Sequence, residues 1–521
     1  MINSLKGEAV HLEVTADVVL VGAGLVGLFL GNYLSSRGLR VVVVESGPRG
    51  NLPDSHPLND VEMVFDDYSG SSRGRFRGLG GTSSRWGGAL LPSVDADFGP
   101  HPCGFHDGWG LDSSDFSPFL EEIEDVFGVS PGSYFTARNI NSDCVPDGFI
   151  SRFPKWPKFN RRNSALLFSK KIANEPKFQI WTDATVTKIN LLGGRVYGVT
   201  AKSVSGAVLS AIAGKVIISA GAIESTRLLL LLNRAEQGRV FSPGSPLGKG
   251  FHDHLSSSIA DIEVTNRRYF EELFGFRFCR GGMRNLRFEL AHETRISNKF
   301  PAAFLHVAFH RDDDDAFSAV RRVFQSAQKG QSPSLKDVRG VIGGVPWLAK
   351  AAVHRVLRGK VLPPEGTLYQ LHLVTEQKPT TSQTISLSDR ASDIFGMPIA
   401  RIAWKVLPHD TSYFRRLSDF SVKSWNSGSL ARVSIAVPRD FSSIEADLVS
   451  GGGIYHPAGT TPIGRNAECG VVDENLMVHG VIGLYVVSSS VFPSIGGSSP
   501  SLTLLQLALR LGRNVLADFN R

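Results

Sequence analysis

Residues 17 to 47 read DVVLVGAGLVGLFLGNYLSSRGLRVVVVESG, and this stretch limits the possible fold more than any other. Val18 to Val21 form a short unbroken apolar run, and RVVVVE, residues 40 to 45, forms a second. Runs this short with no polar alternation predict strands covered on both faces. Between them LVGLFLGNYLSSRG has apolar residues at helical spacing and ends on Gly38, a plausible residue just past a helix end. Gly22, Gly24 and Gly27 fall in GxGxxG spacing in the first turn. There they allow a tight turn, the approach of a pyrophosphate and close packing of helix on strand. The helix start offers free N–H groups and the positive end of its dipole to a phosphate. Glu45 closes the second run 18 residues after Gly27, where a carboxylate can accept the hydroxyls of an adenosine ribose. Strand, glycine turn, helix, strand and acid in this order predict a βαβ dinucleotide site in an α/β protein. A glycine-rich turn serving another purpose would not need Glu45.

The unit alone does not choose between FAD and NAD. Two later stretches do not belong to a plain NAD-binding unit. RGRFRGLGGTSSRWGGALLP (73 to 92) is a second glycine-rich loop, and KVIISAGAIESTRLLLLL (215 to 232) reads as strand, small-residue turn and helix. The 521 residues exceed what one hydrophobic core usually supports, so two domains are expected. Four scattered cysteines form no CxxC pair, giving neither a zinc site nor a disulfide framework. No signal-peptide core and no apolar run of spanning length is present, so a cytoplasmic protein is expected. The net charge of +7 is partly local: from Arg321 to Lys360 there are nine Lys or Arg against the single Asp337. Such a stretch is either a solvated amphipathic helix or a patch for an anionic membrane surface or phosphorylated substrate. No recognition motif accompanies it, which argues against nucleic acid.

Further motifs follow in order: GAIESTRLLL, LGKGFHDHL (247 to 255), HPAGTTPIG (456 to 464) and VVDENLMVHGVIGLYVVSSSVFPSIGGSSPSLTLLQLALR (471 to 510). With GAGLVG, Glu45 and GLGGTSSRWGG, the chain resembles the glucose-methanol-choline (GMC) oxidoreductases, flavoenzymes that oxidise alcohols. The resemblance implies an α/β fold with a Rossmann-like FAD-binding domain from residues 10–95, 180–260 and 450–521. A linking or lid segment, 96–179, would lead to an α+β substrate domain, 265–445, built on an antiparallel sheet. The basic helical stretch 316–360 would be an insertion in it, with weak membrane-surface contact as one use. Alternation in LYQLHLV, TISL and ARIAWKV agrees with half-buried strands. By resemblance, FAD would be held by Gly22, Gly24, Leu25, Gly27, Glu45, Gly80, Gly81, Thr82, Ser83, Trp86, Val186, Ala220, Gly221, Ser489 and Pro500.

Oxidising an alcohol on flavin requires a base for the hydroxyl proton, and histidine suits it because its unperturbed pKa lies near neutrality. By resemblance His456 is that base. His252 and His254 in FHDHL read as structural residues near the domain junction, and no metal is expected. Relatives usually carry Asn or His before the final P-x-x-T; here Ser499 stands there, before Pro500 and Thr503. A serine can orient the substrate hydroxyl but cannot act as a base near neutral pH. If the register is shifted, Ser498 fills the place. Where some sugar-oxidising relatives attach FAD through a histidine, this chain has Arg85, which implies non-covalent FAD; Arg85 would face the flavin, an anionic substrate or solvent. Ser488 replaces an Asp found in many members. The GGTSxxWGG form resembles bacterial members acting on sugars, polyols or glycosides, with a hydrophobic alcohol as the alternative. The electron acceptor, oxygen or another, is not legible. A redox-silent FAD-containing lyase and a non-catalytic flavoprotein are the readings from other classes.

Overall fold

Val18–Val21 and Val41–Val44 are buried at every position, as strands with apolar side chains on both faces must be. In the computed structural model, which describes residues 1–7, 10–50, 52–65, 68–136, 144–311, 315–451 and 454–519, they form the centre of a parallel six-stranded sheet. Its order is Ile2–Ser4, Phe178–Thr182, Val41–Val44, Val18–Val21, Val216–Ile218 and Leu484–Val486, with every pairing parallel. Strands from near residues 2, 20, 43, 180, 217 and 485 thus meet in one layer. Helix Leu25–Ser35 is buried along nearly all its length. It packs against the last helix, Ser501–Phe519, where a Cβ on Gly512 would lie 2.9 Å from both Leu30 and Tyr33. The first helix ends at Ser35, and Gly38 lies beyond it at φ +99° with its N–H on the Ser35 carbonyl at 3.0 Å. A smaller sheet, His11–Thr15, Val208–Ile212, Arg195–Lys202 and Thr185–Leu192, shares this hydrophobic core.

The second core lies behind an antiparallel six-stranded sheet: Ser434–Pro438, His254–Val264, Leu368–Glu376, Ala303–His310, Arg287–Leu290 and Phe149–Arg152. The period of two sorts its side chains. Phe288, Leu290, Leu305, Val307, Tyr369, Leu371 and Leu373 enter the core with Phe270, Phe274 and Trp425. Their alternating neighbours, Arg287, Glu289, Phe304, His306, Gln370 and His372, lie on the opposite face. LYQLHLV and TISL fall in strands, whereas only the first four residues of ARIAWKV do, the strand Pro398–Ala403 ending before Trp404. Residues 316–360 form the helices Ala316–Lys329, Leu335–Gly343 and Val345–Arg358. The last leaves Val345, Val353, Val356 and Leu357 exposed, while Arg355 stacks on Phe278 at 4.3 Å. Among the described residues no helix is long and apolar enough to cross a membrane.

Candidate active site

The glycine turn is built so tightly that side chains are excluded. Gly22 sits at φ +102°, and a Cβ on Gly27 would lie 1.9 Å from the Gly22 carbonyl oxygen. The second glycine loop faces the first: Gly80 N–H donates to the Ala23 carbonyl at 2.9 Å, and a Cβ on Gly81 would approach Gly24 Cα to 3.1 Å. Gly24 caps the helix with no side chain, Leu25 begins it, and its first turn holds no acid, so the positive dipole end is not neutralised locally. Glu45 accepts the N–H groups of Ala23 at 2.8 Å, Gly47 at 2.8 Å and Gly78 at 3.0 Å. A carboxylate offers about four acceptor directions, so capacity remains for a ribose hydroxyl. Gly221, at φ +77°, precedes helix Ala222–Ala235, again with no side-chain cap, and Ala220 stands beside it. These residues fit the adenosine diphosphate part of FAD.

The other anticipated cofactor residues are distributed around this cradle. The Ser83 hydroxyl lies 2.8 Å from that of Ser164, Thr82 donates to the Gly74 carbonyl at 3.3 Å, and Trp86 Nε1 donates to the Arg162 carbonyl at 2.7 Å. Val186 is buried in strand Thr185–Leu192. Ser489 Oγ donates to the Pro457 carbonyl at 2.6 Å, next to His456, and Pro500 receives the Leu504 N–H at 2.9 Å as the last helix begins. Arg85 pairs with Asp54, donates to the Leu52 carbonyl at 2.6 Å and stacks over Phe76 at 4.2 Å. Its guanidinium is therefore already engaged by its own loop and by residues 52 to 54.

The half-buried His456 meets a partner that sequence reasoning assigned elsewhere. Its Nδ1 is 3.0 Å from Nδ1 of His254, and His254 Nε2 is 2.8 Å from the Gly496 carbonyl. A carbonyl only accepts, so His254 carries its proton on Nε2. Its Nδ1 then presents a lone pair, and His456 must donate Nδ1–H to it. The lone pair of His456 is left on Nε2. Burial, then the His254 ring and the Arg287 cation, hold His456 well below the ordinary imidazole value. Burial likewise takes His254 down to about 4. Both rings are neutral at pH 7, as this bonding pattern requires.

Two buried carboxylates fix the pair. Asp253 accepts the backbone N–H of His456 at 2.8 Å and of His254 at 2.6 Å, and it receives the Tyr68 hydroxyl. Tyr455, immediately before His456, is held at φ +65°, a conformation uncommon for a bulky residue. Glu376 accepts Gly496 N–H at 3.0 Å, so the residue whose carbonyl orients His254 is itself anchored. Burial pushes the Glu376 carboxyl up, but His101, Arg295 and the Ala302 N–H together outweigh it and keep the group ionised. His252 donates to the Gly250 carbonyl at 2.7 Å and packs its ring against Gly459. Ser499 is half-buried in the loop that carries Gly496, and the Ser498 hydroxyl is directed to the Pro92 carbonyl at 3.1 Å. Ser488 joins a buried hydroxyl chain through Ser490 to Thr461. His254 lies 202 residues from its partner in sequence. Its available signal was its place in the FHDHL motif, at the buried head of the strand His254–Val264.

Residues 134–256 match the N-terminal and residues 379–508 the C-terminal family model described as GMC oxidoreductase. An uncharacterized GMC-type oxidoreductase of Mycobacterium tuberculosis is 25% identical, over 93% of this chain and 96% of its own length. The 6'''-hydroxyparomomycin C oxidase of Streptomyces lividus is 23% identical, over 96% of this chain and 91% of its own. Among solved structures, an FAD-dependent oxidoreductase from Chaetomium thermophilum superposes with a TM-score of 0.58 at 18% identity, covering 97% of this chain and all of its own.

Proposed function

The chain belongs to the GMC oxidoreductases, and from that premise we propose that it oxidises the CH–OH group of a polar, carbohydrate-containing alcohol to a carbonyl, with His456 as the base. FAD, when bound, supplies the acceptor for the hydride leaving the carbinol carbon. The cradle of Gly22, Gly24, Leu25, Gly27, Gly80, Gly81 and Gly221 holds its pyrophosphate side, and Glu45 holds the ribose. Thr82, Ser83, Trp86, Val186, Ala220, Ser489 and Pro500 shape the remainder of that site. Attachment is non-covalent, in keeping with Arg85 at the place where some relatives use histidine.

One observation carries the base assignment: the run of bonds from the Gly496 carbonyl through His254 to His456, which leaves an unprotonated Nε2. His456 Nε2 takes the hydroxyl proton as the C–H bond breaks. His254 keeps the acceptor nitrogen on the correct side of the ring, Asp253 fixes the backbone, and Glu376 fixes Gly496. Ser499 donates to or accepts from the substrate hydroxyl and does not take its proton. The Ser498 side chain, directed to Pro92, supports giving that place to Ser499. The polar sheet face with His306, His372 and Gln370 supports a hydroxyl-rich substrate over a sterol-like one, and the similarity to the 6'''-hydroxyparomomycin C oxidase supports a hydroxyl-bearing one. In His456→Ala, anaerobic reduction of bound FAD by a substrate alcohol should slow roughly 10²–10⁴-fold, with flavin content unchanged. Equal reduction rates would remove His456 from the chemistry.

A further inference from the structure

Three buried arginines in this protein are matched with carboxylates: Arg152 with Glu289, Arg295 with Asp97 at 3.0 Å, and Arg227 with Glu224 at 2.9 Å and Asp393 at 2.6 Å. Arg287 departs from this pattern. Among the described residues no carboxylate pairs with it, and its buried Nε has no hydrogen-bond partner. Burial lowers its pKa only to about 10, so the cation persists at neutral pH. Arg287 is half-buried, and a cation partly withdrawn from water with no carboxylate beside it makes this position a candidate for a partner from outside the chain.

Its location points to which partner. Arg287 begins strand Arg287–Leu290 on the polar face of the antiparallel sheet. Its guanidinium lies 5.1 Å from the Phe304 ring and 5.5 Å from the Trp156 ring. Phe304 is 6.4 Å from the His254 ring, which is 5.3 Å from His456. The cation therefore stands a few side-chain widths from the proposed base. Trp156 in turn contacts the end of the second glycine loop, 3.3 Å from where a Cβ on Gly87 would be. Beside Arg287, His306 is held well below the ordinary imidazole value by burial, then by Arg287 and His372, while burial takes His372 itself down to about 4. These rings supply hydrogen bonds without charge. Arg162 also lies against Trp156, at 6.0 Å, but its Nε donates to the Pro157 carbonyl at 2.9 Å.

We propose that Arg287 is the anion-binding element of the substrate pocket, so that the alcohol oxidised carries a carboxylate or phosphate group. The guanidinium plane binds two oxygens of such a group at once, orienting the molecule as well as neutralising it. Anchored there, the substrate presents its carbinol to His456 Nε2. The statement that the ligand is an alcohol rests on the oxidation reading above; the statement that the pocket binds an anion does not.

The test separates them. FAD-loaded enzyme is titrated with benzoate, phenylphosphonate and the neutral benzamide, and the change in the flavin absorption spectrum is followed. The aryl probes suit a guanidinium lying against two aromatic rings. Benzoate or phenylphosphonate should bind more tightly than benzamide, and the tighter of the two identifies carboxylate or phosphate as the natural group. In Arg287→Gln the anion's affinity should fall roughly 10- to 100-fold while benzamide is unaffected, and Arg287→Lys should recover part of it. Flavin content and melting temperature of the variants establish that they are folded. Anions binding no better than benzamide, or equally well to wild type and Arg287→Gln, would overturn the proposal. So would a variant with unaltered anion binding but a shifted flavin reduction potential, since Arg287 would then serve the cofactor. Anion binding without flavin reduction by any alcohol would uphold the Arg287 site and reject the oxidation reading. Flavin reduction by alcohols, together with anion binding equal in wild type and Arg287→Gln, would do the reverse.

Discussion

The parallel sheet and the antiparallel sheet face their ligands in different ways. At the carboxyl ends of the central parallel strands the surface is main chain: a Cβ on Gly22, Gly27 or Gly81 would crowd backbone, and one on Gly80 would meet the Asn163 side chain. On the antiparallel sheet the surface is side chain: Arg287, Phe304, His306 and His372 project from one face of strands whose other face is core. A backbone surface suits a ligand that never changes, such as a cofactor. A side-chain surface can be altered one residue at a time without disturbing the core, which is how one fold serves many substrates.

That contrast can be broken most easily at Gly27. Gly27→Ala places a methyl 1.9 Å from the Gly22 carbonyl oxygen, and the purified variant should be colourless or insoluble, as judged by flavin content per protein. A yellow, stable variant would mean that the turn is looser than the contact implies. Next in size is Asp253→Ala. Removing the acceptor of the His254 and His456 N–H groups should slow flavin reduction by about 10²-fold, since mispositioned catalytic groups lose roughly this much, and the Tyr68 hydroxyl loses its partner as well. Asp253→Asn, which keeps one acceptor oxygen, should retain part of the rate in the same stopped-flow measurement.

A smaller effect is expected at His254→Phe. The ring volume stays near the native one, so FAD content should hold. Without the acceptor at its Nδ1, His456 is free to place its proton on either nitrogen, and the reduction rate should fall about tenfold or more. The smallest change is expected at His372→Gln, where a neutral hydrogen-bonding group replaces another. Flavin content and the limiting rate of reduction should be unaltered, and only substrate KM should move, by a fewfold. A lost cofactor in that variant would contradict the division of labour between the two sheets.

The same division governs how much is legible in the sequence alone. The first strand, turn, helix and strand were legible because each is local: four-residue apolar runs, fixed glycine spacing and an acid at the strand end. The stops were less so. Gly38 does sit in the left-handed region, but the helix ends at Ser35, since the turn from Ser36 to Gly38 closes with its own bonds. His456 was legible through its motif and His254 was not given its place, because their contact crosses 202 residues and depends on where the carbonyl of Gly496 falls. Arg287 left a faint trace: RFEL alternates polar with apolar, which puts Arg287 and Glu289 on one face. What no alternation conveys is that Glu289 has a cation to pair with while Arg287 has no carboxylate among the described residues. Arg85 reads as exposed or ligand-facing, yet Asp54 and the Leu52 carbonyl engage it.

The central claim is that His456 is neutral and presents an unprotonated Nε2 throughout the physiological range. The most direct measurement is the pH dependence of anaerobic flavin reduction at saturating substrate. A base must be deprotonated to act, and burial with the neighbouring His254 and Arg287 depresses its folded pKa, so activity is lost only as pH falls through that depressed value. The account predicts a flat rate from about pH 6 to 8, with its acid limb well below the ordinary histidine value of about 6.5. A limb centred near 6.5 or above would contradict it, for His456 would then be an ordinary exposed imidazole without the lock that His254 provides.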